Sequence, residues 1–159
     1  NVETVYNRTR KGVMKIAVAA DHGGFRLKEK IKKYLIDKGY EVEDFGAKSF
    51  NKSDDYPDFA LPAAKSVASG KNDAGILVCS TGIGMSIAAN KVPGVRAALV
   101  MDEGLAQMAK SHNNANVIAL PGNGHVSESK ALKIVETYLA TQFEGGRHLR
   151  RVKKMEEEK

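Results

Sequence analysis

The only cysteine of the chain stands where a predicted strand meets a predicted helix. The apolar run Ala74 to Cys79 indicates a buried strand, and a helical pattern begins at Met85 after the small-residue turn Ser80 to Gly84. At the start of a helix, unpaired backbone N–H groups and the helix dipole favour anions, so a thiol there loses its proton more easily than a free one. Cys79 is therefore a candidate general base or nucleophile, and the turn amides could hold a developing oxyanion. The alternative is a small apolar side chain of the core.

A second group of polar residues follows the first predicted strand. Asp21 and His22 come directly before the pair Gly23-Gly24. The carboxylate is a candidate acceptor for a sugar hydroxyl, and the imidazole is a candidate donor to a phosphate or hydroxyl group. The alternative is that these residues only form a turn and cap the next helix.

Two further polar segments lie late in the chain. His112 and Asn113 separate the fourth helix from the fifth strand, where turn-prone residues alone could end a helix. That position belongs to the opposite edge of the sheet, so His112 would reach a crevice most easily in a neighbouring subunit. Arg147 and Arg151 are four residues apart, which places both on one face of a helical tail. Arginine suits phosphate oxygens, although a solvated face is the common explanation of such a pair.

Composition excludes several classes of protein. The 159-residue chain has a net charge of +6, of which +2 lies in residues 1–13 and +3 in residues 145–159, so the body carries only +1. A nucleic-acid binder usually has a basic face on the folded body, so we expect no nucleic-acid partner. No apolar run is long enough to cross a membrane, and the polar start lacks a signal-peptide core. The four histidines show no metal-ligand spacing, so no metal site is expected.

Strand and helix patterns alternate along the chain. Strands are predicted at 15–20, 40–45, 74–79, 95–101 and 117–120, and helices at 25–38, 58–69, 85–91, 102–111 and 127–142. This alternation indicates an α/β fold, a single-domain doubly wound (Rossmann-like) parallel sheet of about five strands with helices on both faces. A charged, helical tail follows. A strand order of 2-1-3-4-5 would make the turns after strands one and three face each other across one crevice.

The chain divides into a leader and one domain. Residues 1–13 are polar and without periodicity, and we interpret them as a disordered leader, an alternative start or a cloning remnant. The domain then covers residues 14–159. Because one cysteine cannot form an internal disulfide, we expect a reducing, cytoplasmic location.

Together these motifs resemble those of type B ribose-5-phosphate isomerases, within the wider ribose/galactose isomerase family. The resemblance runs from Met14 to about Lys154 and rests on several ordered motifs: Lys15 to Gly24, Asp55 to Asp58, Cys79 to Lys91, His112 to Asn116, and Gly145 to His148 with Arg151. It is more specific about the family than about the sugar.

The resemblance implies a metal-independent aldose–ketose isomerase that needs no cofactor and acts in the pentose phosphate pathway. The reaction would interconvert ribose 5-phosphate and ribulose 5-phosphate in a homodimer, or a dimer of dimers, whose active site is shared between subunits. Cys79 would be the base, Thr81 would position the thiol, and His112 would be the acid for ring opening. The implied substrate-binding residues are Asp21, His22, Tyr56, Ser80, Gly82, Ile83, Gly84, Asn113, Arg147 and Arg151, the two arginines holding the phosphate.

Two positions depart from the family pattern. Ser80 stands where glycine is common, and Asn123 stands in a loop that usually supplies an arginine to the phosphate. One cation of the implied phosphate clamp is therefore missing. Three alternatives stay open: an isomerase of galactose 6-phosphate or allose 6-phosphate, a non-catalytic phosphosugar-binding module, and a nucleotide-binding module. The last lacks the dinucleotide fingerprint.

Overall fold

A computed structural model describes residues 12–157, so most of the leader predicted over residues 1–13 lies outside the described part. The strands are β1 (Lys15–Ala20), β2 (Glu41–Asp44), β3 (Ala74–Cys79), β4 (Ala97–Leu99) and β5 (Val117–Pro121). The helices are α1 (Phe25–Asp37), α2 (Pro57–Ala68), α3 (Ile83–Asn90), α4 (Glu103–Ser111), α5 (Glu128–Ala140) and α6 (Arg147–Glu157). The ten elements predicted before the tail are all present, with ends within two residues of the expected ones.

The five strands form one parallel sheet in the order β2-β1-β3-β5-β4. The predicted order 2-1-3-4-5 was wrong at one point, because β5 and not β4 pairs with β3. β5 is buried along its whole length, whereas β4 is three residues long and partly exposed, as suits an edge strand. Arg96 interrupts the apolar run before β4, and this was the available sequence signal.

Helices cover both faces of the sheet, which confirms the doubly wound architecture. Alternate residues of the central strands point to opposite faces: Val18 belongs to the core cluster that includes residues of α1, α4 and α5, whereas Ala17 belongs to the cluster that includes residues of α2 and α3. Cys79 belongs to the second face. Among the described residues, no helix has the length and apolar character needed to cross a membrane.

The charged tail is a docked helix, although a solvated, fraying one would have been the simplest expectation. α6 buries His148 and Val152, and the loop before it is tied to the end of α4 by the Glu144 N–H, which donates to the Ser111 carbonyl at 3.0 Å. Arg96 also pairs with Glu156 near the end of α6. The tail therefore covers the edge of the sheet where β4 and β5 begin.

A buried ion pair anchors the loop between β2 and α2. Lys28 of α1 is fully buried, and its Nζ donates to both carboxylate oxygens of Asp44 at 2.9 Å and to the Ala47 carbonyl at 2.6 Å. Burial by itself would raise the pKa of Asp44, but hydrogen bonds from Lys28, the Gly46 amide and Lys32 outweigh it and hold that pKa below its usual value. This network fixes the start of a loop that ends at the carboxyl edge of the sheet. We use carboxyl edge for the side of the sheet where the strands end, and amino edge for the side where they begin.

Candidate active site

The turns that follow β1, β3 and β5 are in direct contact at the carboxyl edge of the sheet. A Cβ atom built on Gly23 would lie 2.1 Å from the Ser80 Oγ, and one on Gly122 would lie 2.6 Å from the Gly23 carbonyl oxygen. Glycine is required at both positions because a side chain would separate the turns. The strand sequence reverses between β1 and β3, so this is the point where an open α/β sheet forms a ligand crevice. The prediction that the two turns face each other is confirmed.

Cys79 is the last residue of β3 and is 5% exposed. Its Sγ accepts a hydrogen bond from the Gly82 N–H at 3.2 Å. Gly82 has φ +78° and immediately precedes α3, so the turn bends the backbone back over the sulfur. The amides of Gly84 and Met85, in the first turn of α3, have no acceptor within residues 12–157. The sulfur therefore lies beside backbone donors that favour negative charge.

The remaining residues of this turn have distinct surroundings. The Thr81 hydroxyl accepts from the Ile83 N–H at 3.2 Å and forms no hydrogen bond with the sulfur among the described residues. Ile83 is half-exposed, and the Ser80 carbonyl accepts from the Asn123 amide at 3.3 Å. Thr81 thus stabilises the entry to α3, and any contact with the thiol would need a rotation of its side chain.

Asp21 and His22 lie in the turn after β1, which packs against the turn after β3, and an acidic residue that sequence reasoning missed lies beside them. Asp54 Oδ1 accepts from the His22 amide at 3.0 Å and contacts His22 Nδ1 at 2.6 Å. The hydrogen bond to Asp54 raises the pKa of His22, and burial raises the pKa of Asp21. Asp54 is 32 residues from His22, and nothing local distinguishes it from its neighbour Asp55.

Tyr56 covers the start of α3. A Cβ atom built on Gly84 would lie 2.7 Å from the Tyr56 ring carbon Cζ, so the ring rests directly on that glycine. The side chain remains 40% exposed. Tyr56 therefore lies beside the turn that follows β3, on the side of α2, and its role in lining a substrate pocket stays a prediction.

The other predicted residues lie at the amino edge of the sheet. His112 ends α4, and its ring stacks on that of His148 with centroids 4.3 Å apart. Asn113, Arg147 and Arg151 are exposed beside them, and neither arginine forms an ion pair within the described part of the chain. Burial, with the positive charge of nearby His112 and arginines as a smaller cause, lowers the pKa of His148.

Within one chain the two edges do not form a single site. The Gly75 amide bonds to Asn116, which follows the His112 segment, whereas Cys79 ends the same strand. Gly75 and Cys79 are four residues apart on β3, and at about 3.3 Å per residue the two positions are about 13 Å apart. This distance is greater than the length of a histidine side chain. The structure places Asp21, His22 and Tyr56 at the same end of the sheet as Cys79 and the Ser80–Gly84 turn, and it places His112, Asn113, Arg147 and Arg151 together elsewhere.

Two clusters have ligand atoms within 4.8 Å of one another: Asp21 with His22 and Asp54, and His112 with Glu144 and His148. In the first, Asp54 already engages the His22 Nδ1. In the second, the two rings lie within 9° of parallel, so lone pairs in their planes do not converge on one ion. Neither cluster, as arranged here, has the geometry of a metal centre.

Comparison with known proteins gives a consistent result. Residues 16–155 match the family model described as Ribose/Galactose Isomerase. A probable ribose-5-phosphate isomerase B of Mycoplasma genitalium is 47% identical over 141 residues, which cover 88% of this chain and 92% of that protein. A solved ribose-5-phosphate isomerase B of Clostridium thermocellum is 51% identical with a TM-score of 0.88, covering 91% of this chain and 96% of that one. The M. genitalium enzyme solved with bound ribulose-5-phosphate is 46% identical with a TM-score of 0.87, covering 91% and 95%.

Proposed function

The chain belongs to the ribose/galactose isomerase family, and we propose that it interconverts ribose 5-phosphate and ribulose 5-phosphate through an enediolate. The observation that carries this proposal is the Cys79 sulfur, held at the end of β3 against the Gly82 amide. The Gly84 and Met85 amides of α3, which have no acceptor among the described residues, lie in the same turn. The relative solved with ribulose-5-phosphate supports the choice of sugar.

In the proposed mechanism Cys79 is the general base. The thiolate removes the proton from C2 of the open-chain aldose, and negative charge develops on the O1 oxygen. The turn amides stabilise that oxygen, because donors already aimed at the developing charge need no reorganisation. O1 is protonated, the O2 hydroxyl loses its proton, and the sulfur delivers its proton to C1, which gives the ketose. C1 is reduced as C2 of the same sugar is oxidised, so the step needs no redox cofactor.

Ring opening and phosphate binding are assigned to the amino edge of a second copy of the chain. His112 would be the acid for ring opening, with Asn113 beside it, and Arg147 and Arg151 would hold the phosphate. Exposed apolar side chains support such a dimer, since six of them lie on or next to α3, β4 and α4: Ile83, Ile87, Leu99, Met101, Leu105 and Met108. Each homodimer would then contain two composite sites. We further propose a single catalytic domain over residues 14–159 that acts in the cytoplasm.

A proton-exchange experiment tests the proposed function. The protein is incubated with ribose 5-phosphate in deuterated water, and ribulose 5-phosphate and deuterium at C1 and C2 are followed by NMR. We expect interconversion with exchange, and we expect thiol alkylation to abolish both. Absence of interconversion would contradict the proposal.

The same assay distinguishes the sugars. The kcat/KM for ribose 5-phosphate should exceed the values for galactose 6-phosphate and allose 6-phosphate. A preference for a six-carbon substrate would assign the chain to the other branch of its family. Tight binding of ribose 5-phosphate without exchange would instead indicate a non-catalytic phosphosugar-binding module.

A further inference from the structure

The imidazole of His22 is held by a carboxylate that the proposed chemistry does not use. Asp54 Oδ1 contacts both the backbone N–H and the Nδ1 of His22, at 3.0 and 2.6 Å. The Asp54 side chain is only 9% exposed, against 34% for His22, and its Oδ2 is buried without a partner among the described residues. Burying a carboxylate is costly unless it is paired, so His22 is the group that compensates this charge.

The arrangement determines which nitrogen of His22 is available. The Nδ1–H group donates a hydrogen bond to the Asp54 carboxylate, and this leaves Nε2 available to a ligand. Within the described residues, the charged groups that face the ring are Asp21, from the same turn, and Asp54, from the loop before α2. Both are acidic and both favour the imidazolium form. The raised pKa of His22 agrees with this geometry.

His22 lies close to the loop in which the family pattern has an arginine for the phosphate. In this chain Asn123 stands at that position, so the positive charge of the arginine is missing. The Asn123 amide donates to Ser80, and Gly122 packs against the Gly23 carbonyl next to His22. The turn that carries His22 therefore adjoins the loop from which an arginine would reach the phosphate. A protonated His22 adds positive charge at the same side of the crevice.

We propose that Asp54 is a positioning residue that holds His22 as an imidazolium, so that its Nε2–H binds the phosphate of the substrate in place of the missing loop arginine. This inference rests on the proposed function for the identity of the substrate. The link between Asp54 and the charge of His22 does not depend on it.

The direction of the pH effect follows from the charge. His22 binds phosphate when protonated, so binding is strong below its raised pKa and weakens as the pH rises through it. Removing the Asp54 charge lowers that pKa, and the weakening then begins at lower pH. Asp54→Asn should raise the KM for ribose 5-phosphate about tenfold near neutral pH, the size expected for one hydrogen bond to a charged group. The kcat should change little, because the reacting carbons are not involved.

The experiment compares Asp54→Asn, His22→Gln, the double variant and Asp37→Asn. The last is the matched control, since Asp37 is an exposed carboxylate whose ion pair is with Lys33 on α1. KM and kcat are measured across pH 5.5 to 9, roughly the range over which an imidazole titrates. The His22 ring is titrated by NMR without substrate, and binding of inorganic phosphate is followed by the same signal.

We expect Asp54→Asn to lower the titration midpoint of His22 and to shift the rise of KM to lower pH, whereas Asp37→Asn should do neither. In the His22→Gln background, Asp54→Asn should have no further effect on KM. An unchanged His22 titration or an unchanged KM profile in Asp54→Asn would overturn the inference. If Asp54→Asn does not fold, a KM profile of His22→Gln that keeps the wild-type pH dependence would overturn it.

These outcomes separate this inference from the proposed function. Failure of the wild-type chain to isomerise ribose 5-phosphate contradicts the function alone. The NMR titration and the phosphate binding still decide whether Asp54 controls the charge and the anion affinity of His22. Phosphate binding that is equally tight in Asp54→Asn and wild type would overturn the inference even in an active enzyme.

Discussion

The carboxyl and amino edges of the sheet differ in how their functional groups are held. At the carboxyl edge, Asp21, His22 and Cys79 are bonded to backbone amides or to a buried carboxylate, and three turns pack without space for a side chain. At the amino edge, Arg147 and Arg151 are exposed and without ion pairs among the described residues. The first edge is organised within the chain, whereas the second presents groups outward.

This difference indicates a division of roles. Proton transfer needs groups held within a fraction of an ångström, which the packed strand ends provide. Phosphate binding tolerates long, mobile arginine side chains that become ordered on contact with the anion. We therefore interpret the carboxyl edge as the half of a site that holds the base. The amino edge would supply the arginines and the ring-opening acid to a site in another copy of the chain.

The largest expected effect is at the carboxyl edge. Cys79→Ala removes the proposed base and should lower kcat by about 10²- to 10⁴-fold, the usual contribution of a positioned proton-transfer group. KM should change much less, since the substrate-binding groups remain. Steady-state kinetics measure this, with circular dichroism as the control for folding. Turnover at the wild-type rate would exclude Cys79 as the base.

Mixing two inactive variants tests whether the edges cooperate between subunits. Cys79→Ala and His112→Ala homodimers, unfolded and refolded together in equal amounts, should regain about a quarter of wild-type activity. Random pairing makes about half of the dimers mixed, and each mixed dimer has one intact site of two. Both defects then fall in the other site. If each site lay within one chain, every site would carry one defect, and no activity would be regained. Refolded single variants are the controls.

The buried ion pair between Lys28 and Asp44 should contribute more to the free energy of unfolding than an exposed ion pair on the same helix. Lys28→Ala leaves Asp44 buried without its main partner, which should lower the free energy of unfolding by about 3–5 kcal/mol. Lys33→Ala is the matched control on the same helix, since its exposed pair with Asp37 should be worth about 1 kcal/mol or less. Urea unfolding measures both. Equal losses would show that this network does not support the loop.

The Lys28–Asp44 pair also predicts how the stability of the protein changes at low pH. The pKa of Asp44 is lowered in the folded state, so its contribution to stability is complete above the pKa of an unfolded aspartate and is lost as the pH falls through the folded value. Asp44→Asn should therefore unfold with a weaker dependence on pH below about 4 than the wild type. Urea midpoints measured from pH 3 to 7 test this, and parallel curves would contradict it.

The smallest expected effect concerns the packing of the turns. Gly122→Ala puts a Cβ atom against the backbone of Gly23 and Gly24, so the turns must separate at a cost of about 1–3 kcal/mol and with a lower kcat/KM. Gly104→Ala in α4 is the control, because the nearest atom to its Cβ would be 3.4 Å away and the helix gains up to about 1 kcal/mol. Unchanged kinetics in Gly122→Ala would show that the crevice tolerates the shift.

Sequence reasoning succeeded where the signals are local. The apolar patterns predicted each strand and helix, since burial of a strand or of one helix face leaves a periodic pattern. Gly39, with φ +92°, ends α1, and Ser127 caps α5 by accepting from the Lys130 N–H. The strand order was wrong because it assumed that neighbours in sequence are neighbours in the sheet, whereas the more apolar β5 takes the inner position.

The sequence by itself determined the strands and helices, the two sets of candidate site residues and the family resemblance. Each of these depends on a pattern that extends over only a few neighbouring residues. Only the tertiary structure decided that Asp54 holds His22, that Lys28 is buried on Asp44, and that β5 rather than β4 pairs with β3. These contacts join residues far apart in the chain, and they depend on which surfaces pack together rather than on any local pattern.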